Sequence, residues 1–380
     1  MLLLLLSTAS STFAGSATWK TNPSSGDWNN AANWTPATVP NGPSDTATFA
    51  FSNATNVSVS VDPITVDSIV FNAGASAFTI TANYGFRLDI VGAGIRNNSG
   101  ITQTFVAAGL LRLIGPSVAD MARVELPFGG RLDLSFHHAP GVTIRSIEGD
   151  GDIFLGSRNL RVGSNNLSTN FSGRIQDSGG NGGTGGSLTK IGTGKLVLTK
   201  GNTYTGGTTI KRGKLLVNNK NGYGTGVFEG VQVDGGLLGG KGIILNAVTV
   251  GKGIGSGAVL APGYLHGAGS PGALTIYRTL TFNSDATYDV DVNSSMATAD
   301  EVIAYGVTIN SGAQFSFNDI GSSMLTFGTV FTIINNTAAS PIAGTFSNLP
   351  DGSMVTSNGN TYQVSYEGGD GNDLTLTVIP

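Results

Sequence analysis

Ile147-Glu148-Gly149-Asp150-Gly151-Asp152 places three carboxylates within five residues. Carboxylates so grouped could hold the calcium of a polysaccharide lyase, or form the acid/base pair of a glycosidase. A lyase would also want basic residues close by, and Arg145 and Arg158 are the candidates. Alternating Gly and Asp is equally the composition of a polar turn, and the turn is the preferred reading. His137-His138 could be a metal-ligand pair or a general base. Successive side chains of a strand point to opposite faces, so both imidazoles cannot enter one site without a bulge. His266 is the remaining imidazole. Trp19, Trp28 and Trp34 could stack on sugar rings, but anchoring an N-terminal cap is the preferred role.

Other chemistry is easier to set aside. The terminal Gly368-Gly369-Asp370-Gly371-Asn372-Asp373-Leu374-Thr375-Leu376 partly matches a calcium-binding nonapeptide. Its large apolar residue is one position away from Thr375, where it is needed. One copy also supplies too few oxygens, because successive turns must complete the shell. A tight polar turn before the last strand fits better. No Gly-x-Ser-x-Gly elbow comes with a suitable order of His and Asp, so esterase chemistry is unsupported. Gly92-Ala93-Gly94 and the glycines around 179–186 lack the following helix of a phosphate cradle. With no Cys, neither a disulfide, a thiolate zinc site nor a thiol nucleophile exists. No catalytic, cofactor-binding or metal residue is therefore assigned, and no cofactor is expected.

The elements that would position such residues are strands. The chain has 380 residues, 57 of them Gly, with 39% hydrophobic and 12% charged residues. Charge is about half the usual share and Gly roughly double. No Gly-X-Y period exists, and aromatic and β-branched residues are too plentiful for general disorder. Short alternating runs such as Val57-Ser58-Val59-Ser60-Val61 and Tyr288-Asp289-Val290-Asp291-Val292 are punctuated by Gly, Asn, Asp, Ser and Pro. Only Val118 to Leu126 reads as a short helical turn. A motif recurs in which Gly and one variable residue precede apolar-x-apolar, as in Gly130-Arg131-Leu132-Asp133-Leu134, Gly194-Lys195-Leu196-Val197-Leu198 and Gly213-Lys214-Leu215-Leu216-Val217. Copies start about 20 residues apart, the size of one coil of a parallel β-helix. Each coil must bury its apolar face on its neighbours. At roughly 4.8 Å per rung, the chain makes at most ~18 rungs and under ~90 Å of rod.

Residues 187–219 closely resemble the autotransporter-associated β-strand repeat. The resemblance rests on Leu188-Thr189-Lys190, Gly192, Gly194, Leu196-Val197-Leu198, Tyr204-Thr205-Gly206-Gly207-Thr208-Thr209 and Gly213-Lys214-Leu215. Asn170-Phe171-Ser172-Gly173-Arg174-Ile175 is a weaker echo. Trp19, Asp27-Trp28-Asn29 and Asn33-Trp34 resemble the opening segment of such proteins, and Ser270-Pro271-Gly272-Ala273-Leu274-Thr275 their later coils. The resemblance implies a secreted right-handed parallel β-helix of the pectin-lyase-like kind, a passenger displayed at the outer membrane. It implies no reaction, because the repeat is a scaffold shared by adhesins and enzymes. In some relatives a Pro-Glu-Pro sorting tail follows a strand ending like Thr377-Val378-Ile379-Pro380, so a barrel or sorting tail beyond Pro380 stays open.

The expected organisation follows. Residues 1–14 read as a signal peptide without its usual basic region, processed near Ala14. Residues 15–129 form an N-terminal β-rich cap, 130–275 the β-helix and 276–380 an acidic β-rich closing region. No apolar run reaches the ~18 residues of a membrane-spanning helix. Residues 190–252 carry nine basic residues against Glu229 and Asp234, a net of +7. After Arg278 no Lys or Arg occurs, against ten Asp and Glu. Opposite ends could favour self-association, and the basic stretch could attract an envelope or extracellular polysaccharide. The expected protein is all-β, non-enzymatic and secreted or at the bacterial cell surface, a stalk or adhesin. A polysaccharide-acting enzyme and a carbohydrate-binding module are the alternatives. Nucleic acid is not an expected partner.

Overall fold

A computed structural model describes residues 15–116, 122–255, 257–263 and 271–380. The leader read at 1–14, residues 118–121 of the helical turn, and His266 lie outside the described residues. Among these residues there is no α-helix, only a 3-10 turn at Ala31–Asn33. The remaining part of the expected helical turn is a strand. Ala122–Leu126 alternates buried and half-buried side chains, with Ala122, Val124 and Leu126 inward, and joins its neighbours on both sides. Period two wins over period 3.6 here because each inward residue finds a stacked partner in the next rung.

Parallel strands stack into a β-solenoid of about 12 turns. At roughly 4.8 Å per rung this is a rod of about 55–60 Å. The second sheet runs nearly the whole length, from Asn56–Val59 through Lys195–Leu198 to Gln314–Asp319. The first sheet covers the N-terminal half, from Trp34–Thr35 to Ile175–Gln176, and a fourth resumes at Ile243–Ile244. The third face begins only at Gly141–Ile144 and continues to Val307–Ile309. Early rungs therefore have strands on two faces, and the third face joins them only from Gly141, which blurs the 20-residue period before residue 130. The ladders pass the positions 129/130 and 275/276 without a break.

Columns of stacked apolar side chains fill the core. Leu196, Leu215, Leu238, Leu260 and Tyr288 are register partners on successive rungs, and all are buried. Stacking like on like at strand spacing gives each leucine contacts above and below, which a lone coil could not supply. Both ends are plugged by rings. Trp34 sits 5.0 Å from Trp19 and 5.0 Å from Trp28, edge to face, and leads through Phe49 to Phe71. At the far end Phe282, Tyr288, Phe315 and Phe346 cluster below an antiparallel hairpin, Asn360–Gly368 with Asp373–Ile379.

One face has no strand between Gln176 and Ile243, yet its ladder continues. Thr203 N donates to Ile175 O at 2.9 Å, Asn202 N to Tyr223 O at 2.7 Å and Gly224 N to Ile243 O at 2.8 Å. The Asn202 side chain closes the remaining gaps. Its Oδ1 accepts from Ile175 N at 2.8 Å and its Nδ2 donates to Gly224 O at 2.7 Å. A buried amide left unpaired costs about 1–3 kcal/mol. Asn202→Ala orphans backbone groups on both neighbouring rungs, so stability should fall by about 2–4 kcal/mol. Chemical denaturation monitored by circular dichroism checks this; a loss under about 0.5 kcal/mol would remove Asn202 from the ladder.

Candidate functional site

The acidic cluster is divided by a corner of the coil. Glu148 lies on Ser146–Gly149 of the second sheet, and Asp152 starts Asp152–Phe154 of the first. Glu148 pairs with Arg123, which also reaches Glu125 at 3.0 Å. Asp150 sits exposed in the turn between the sheets. Arg158 bonds the carbonyl of His137 and donates to Ser157 Oγ at 2.5 Å, away from the three carboxylates. Arg145 immediately precedes the strand that carries Glu148. The arrangement is one surface ion-pair row and a polar corner.

The imidazoles lie in the connection between Arg131–Asp133 and Gly141–Ile144, off any strand, and differ in burial. His137 is buried with Nδ1 2.7 Å from the carbonyl of His138, while His138 is exposed. All three tryptophans are buried. Their Nε1 groups donate to Ala54 O, Pro40 O and Trp28 O at 3.0, 3.0 and 2.8 Å. Indoles so engaged hold the cap and offer sugars no face. The glycine-rich terminal segment is a hairpin turn, with Gly368 paired to Asp373 and Gly371 N donating to Gly368 O. Asp373 is buried and accepts from Asn336 N at 2.9 Å, and burial raises its pKa. Among the described residues no group of three His, Cys, Asp or Glu could hold a metal ion.

The repeat segment carries its own buried charge. Lys190 is 1% exposed, and its Nζ donates to Ile191 O at 2.6 Å and Gly192 O at 3.2 Å. Burial pushes its pKa down to about 8. The ammonium ties the corner carbonyls of Ile191 and of the positive-φ Gly192. Tyr204 is fully buried and its hydroxyl meets Thr208 Oγ1 at 2.6 Å, locking the Tyr-Thr-Gly-Gly-Thr-Thr turn.

The other basic residues of 190–252 project outward. Lys200, Lys220 and Lys241 are exposed and follow the second-sheet strands of three successive rungs. Lys195 and Lys214 are direct register neighbours.

A different set of residues comes together on the first sheet. Arg87, Leu110 and Arg131 are register partners on one outward row, and Asp89, Arg112 and Asp133 on the next. Arg112 grips Asp89 through Nε at 2.7 Å and Nη2 at 2.5 Å, with its guanidinium 5.1 Å from the centre of the Phe136 ring. Sequence reading missed this row. Its signal was present in Gly85-Phe86-Arg87-Leu88-Asp89, Gly109-Leu110-Leu111-Arg112-Leu113 and Gly130-Arg131-Leu132-Asp133-Leu134, where charged residues hold the outward positions of the recurrent motif.

Residues 188–217 match the passenger-associated-transport-repeat family. The matched segment spans the third- and second-sheet strands of one turn, the Asn202–Tyr204 crossing and the same two strands of the next. No curated protein matches the chain. Repeat and coil together fit an autotransporter passenger-like repeat protein.

One further titration has a measurable consequence. Asp300 is buried, accepts from Gly272 N at 3.0 Å and Asp291 N at 3.1 Å, and burial raises its pKa to about 7. A carboxyl with a raised folded-state pKa contributes stability below its unfolded value near 4, and this is lost as pH rises towards 7. Asp300→Asn should therefore flatten the fall in stability between about pH 4 and pH 7, by roughly 2–4 kcal/mol relative to the native chain. Thermal melts of both proteins across that range check it; parallel curves would show that Asp300 titrates normally.

Proposed function

We propose that this chain is a non-enzymatic scaffold, exported or displayed at the cell surface, that serves as a stalk or adhesive passenger. The observation that carries the reading is the unbroken register of rungs running through the passenger repeat. A rod of stacked coils with an aromatic plug at each end suits holding something away from a surface. The described parts of the candidate acidic cluster also favour it. An enzyme needs its carboxylates to converge with Arg or Lys around a substrate-sized hollow. Here Glu148 is committed to Arg123, and Asp152 belongs to another sheet. Fractionation of cells expressing the full gene tests the reading. The chain should appear in the medium or be removed from intact cells by added protease; retention in the cytoplasm would overturn it.

A second property is favoured by the basic corner. Lys200, Lys220 and Lys241 are exposed just past the same sheet on three successive rungs, where a polyanionic polymer can run parallel to the axis. The full chain should be retained on an immobilised anionic polysaccharide at low salt and released by about 0.3 M salt. The triple change Lys200→Ala, Lys220→Ala, Lys241→Ala should abolish most of that retention. Salt-insensitive retention, or none, would sink the idea.

A further inference from the structure

Two adjoining hollows open on the outer surface of the first sheet, about 290 and 410 Å³ in volume, sharing Leu110 and Arg131 in their walls. Together they have the size of a pocket for a small organic ligand. The floor is flat and apolar at Leu110 and Phe154. One wall is the corner carrying Tyr84, whose ring is 60% exposed and whose hydroxyl donates to Phe128 O at 2.9 Å. The other wall is the glycine-rich loop at 178–180.

That loop is built in place. Asp133 is buried and accepts from Ser135 N at 2.9 Å, Ser135 Oγ at 2.6 Å and Gly180 N at 2.8 Å. Asp177, also buried, holds the loop's far end through Gly185 N, Gly186 N and Thr205 Oγ1. A Cβ on Gly180 would lie 2.6 Å from the Phe136 ring, so the loop lies directly on the sheet.

The charges facing the hollows are unequally spent. Asp89 is consumed by Arg112, and Asp133 by the loop. Arg87 stands 3.1 Å from Asp89, but its buried Nε has no aligned acceptor. Arg131 is exposed, and its guanidinium has no hydrogen bond or ion pair among the described residues. Asp62 borders one hollow and is exposed, and Asp152 is the register neighbour of Arg131. Arg87 and Arg131 are two rungs apart, roughly 10 Å, with Leu110 between them. Two under-used planar donors, spaced across an apolar floor beside an exposed ring, suit carboxylates carried on linked flat-faced rings.

We infer that this groove binds a short oligosaccharide of carboxylated sugars. One carboxylate is received by Arg131 and another by Arg87, the ring faces rest on Leu110 and Tyr84, and Asp62 accepts from sugar hydroxyls. The inference does not depend on export or on the stalk role. It concerns the folded chain alone, so failure of the fractionation test would leave it standing, and failure of binding would leave the scaffold standing.

Calorimetric titration of the full chain with a galacturonic acid tetramer tests it, with cellotetraose as the uncharged control of equal length. In about 0.3 M salt, where the lysine corner releases polyanions, the acidic tetramer should bind with one-to-one stoichiometry and at least tenfold more tightly than cellotetraose. Arg131→Ala should weaken it at least tenfold without shifting the melting temperature, since Arg131 has no partner to lose. Equal binding of both tetramers would overturn the assigned ligand class. No heat at millimolar tetramer, or binding unaffected by Arg131→Ala and Arg87→Ala, would overturn the groove. Free galacturonic acid or sulfate binding as tightly as the tetramer would reduce the site to a simple anion contact and overturn it too.

Discussion

Every rung of this solenoid depends on donating its backbone N–H groups to the rung beside it. Buried backbone groups must be paired, and in a parallel stack the only neighbours are the coils above and below. Where strands are regular the ladders do this unaided. Where they are not, side-chain amides take over. Asn202 spans three rungs on the interrupted face, Gln103 Oε1 accepts from Phe78 N, and Asn219 Oδ1 accepts from Ile243 N. The exposed edge of the last second-sheet strand is treated alike. Asn348 accepts from Phe315 N and donates to Phe315 O, both at 2.8 Å. An amide carries the same donor and acceptor as a peptide unit, so it can stand in for a missing strand residue.

The same constraint explains the repeat. Gly213 has φ of +71°, and a Cβ there would lie 2.4 Å from the carbonyl of Gly192. A corner must bring backbone against backbone for the next strand to fall into register, so no larger residue fits. Lys190 then donates to corner carbonyls that no backbone N–H reaches among the described residues. Its ammonium is held by oxygen acceptors yet poorly solvated, which is why its pKa falls. Its role is local to the coil, and its burial leaves it unavailable to a ligand.

Function is left to what projects outward. A column of leucines and a ladder of backbone bonds impose nothing on the outer positions, so charge can be distributed freely along the rod. The chain places lysines along one corner, arginines on one flat face and only acids near the closing hairpin. The long loop at 178–186 departs from the short corners of neighbouring turns. It is held down by two buried carboxylates, and that turns a flat sheet into a groove.

By itself the sequence determined the class of coil. Glycine at corners, alternation in short runs and the segment 187–219 were enough, because they are local requirements of a strand, a turn and a stacked rung. It also determined that three tryptophans belong to a cap. The helical turn read at 118–126 misled over 122–126, because nine residues cannot distinguish periods of two and 3.6 when the stacking partner is unseen. Only the tertiary structure decided the number of faces, the continuity across residue 130 and the dispersal of Glu148, Asp150 and Asp152 about a corner. It alone brought Arg87, Arg131 and Gly180 together, residues separated by up to 93 positions. The physical reason is register. Which outward residues become neighbours is set by how many residues each rung spends between strands, and that count is fixed by long-range pairing rather than by any local preference.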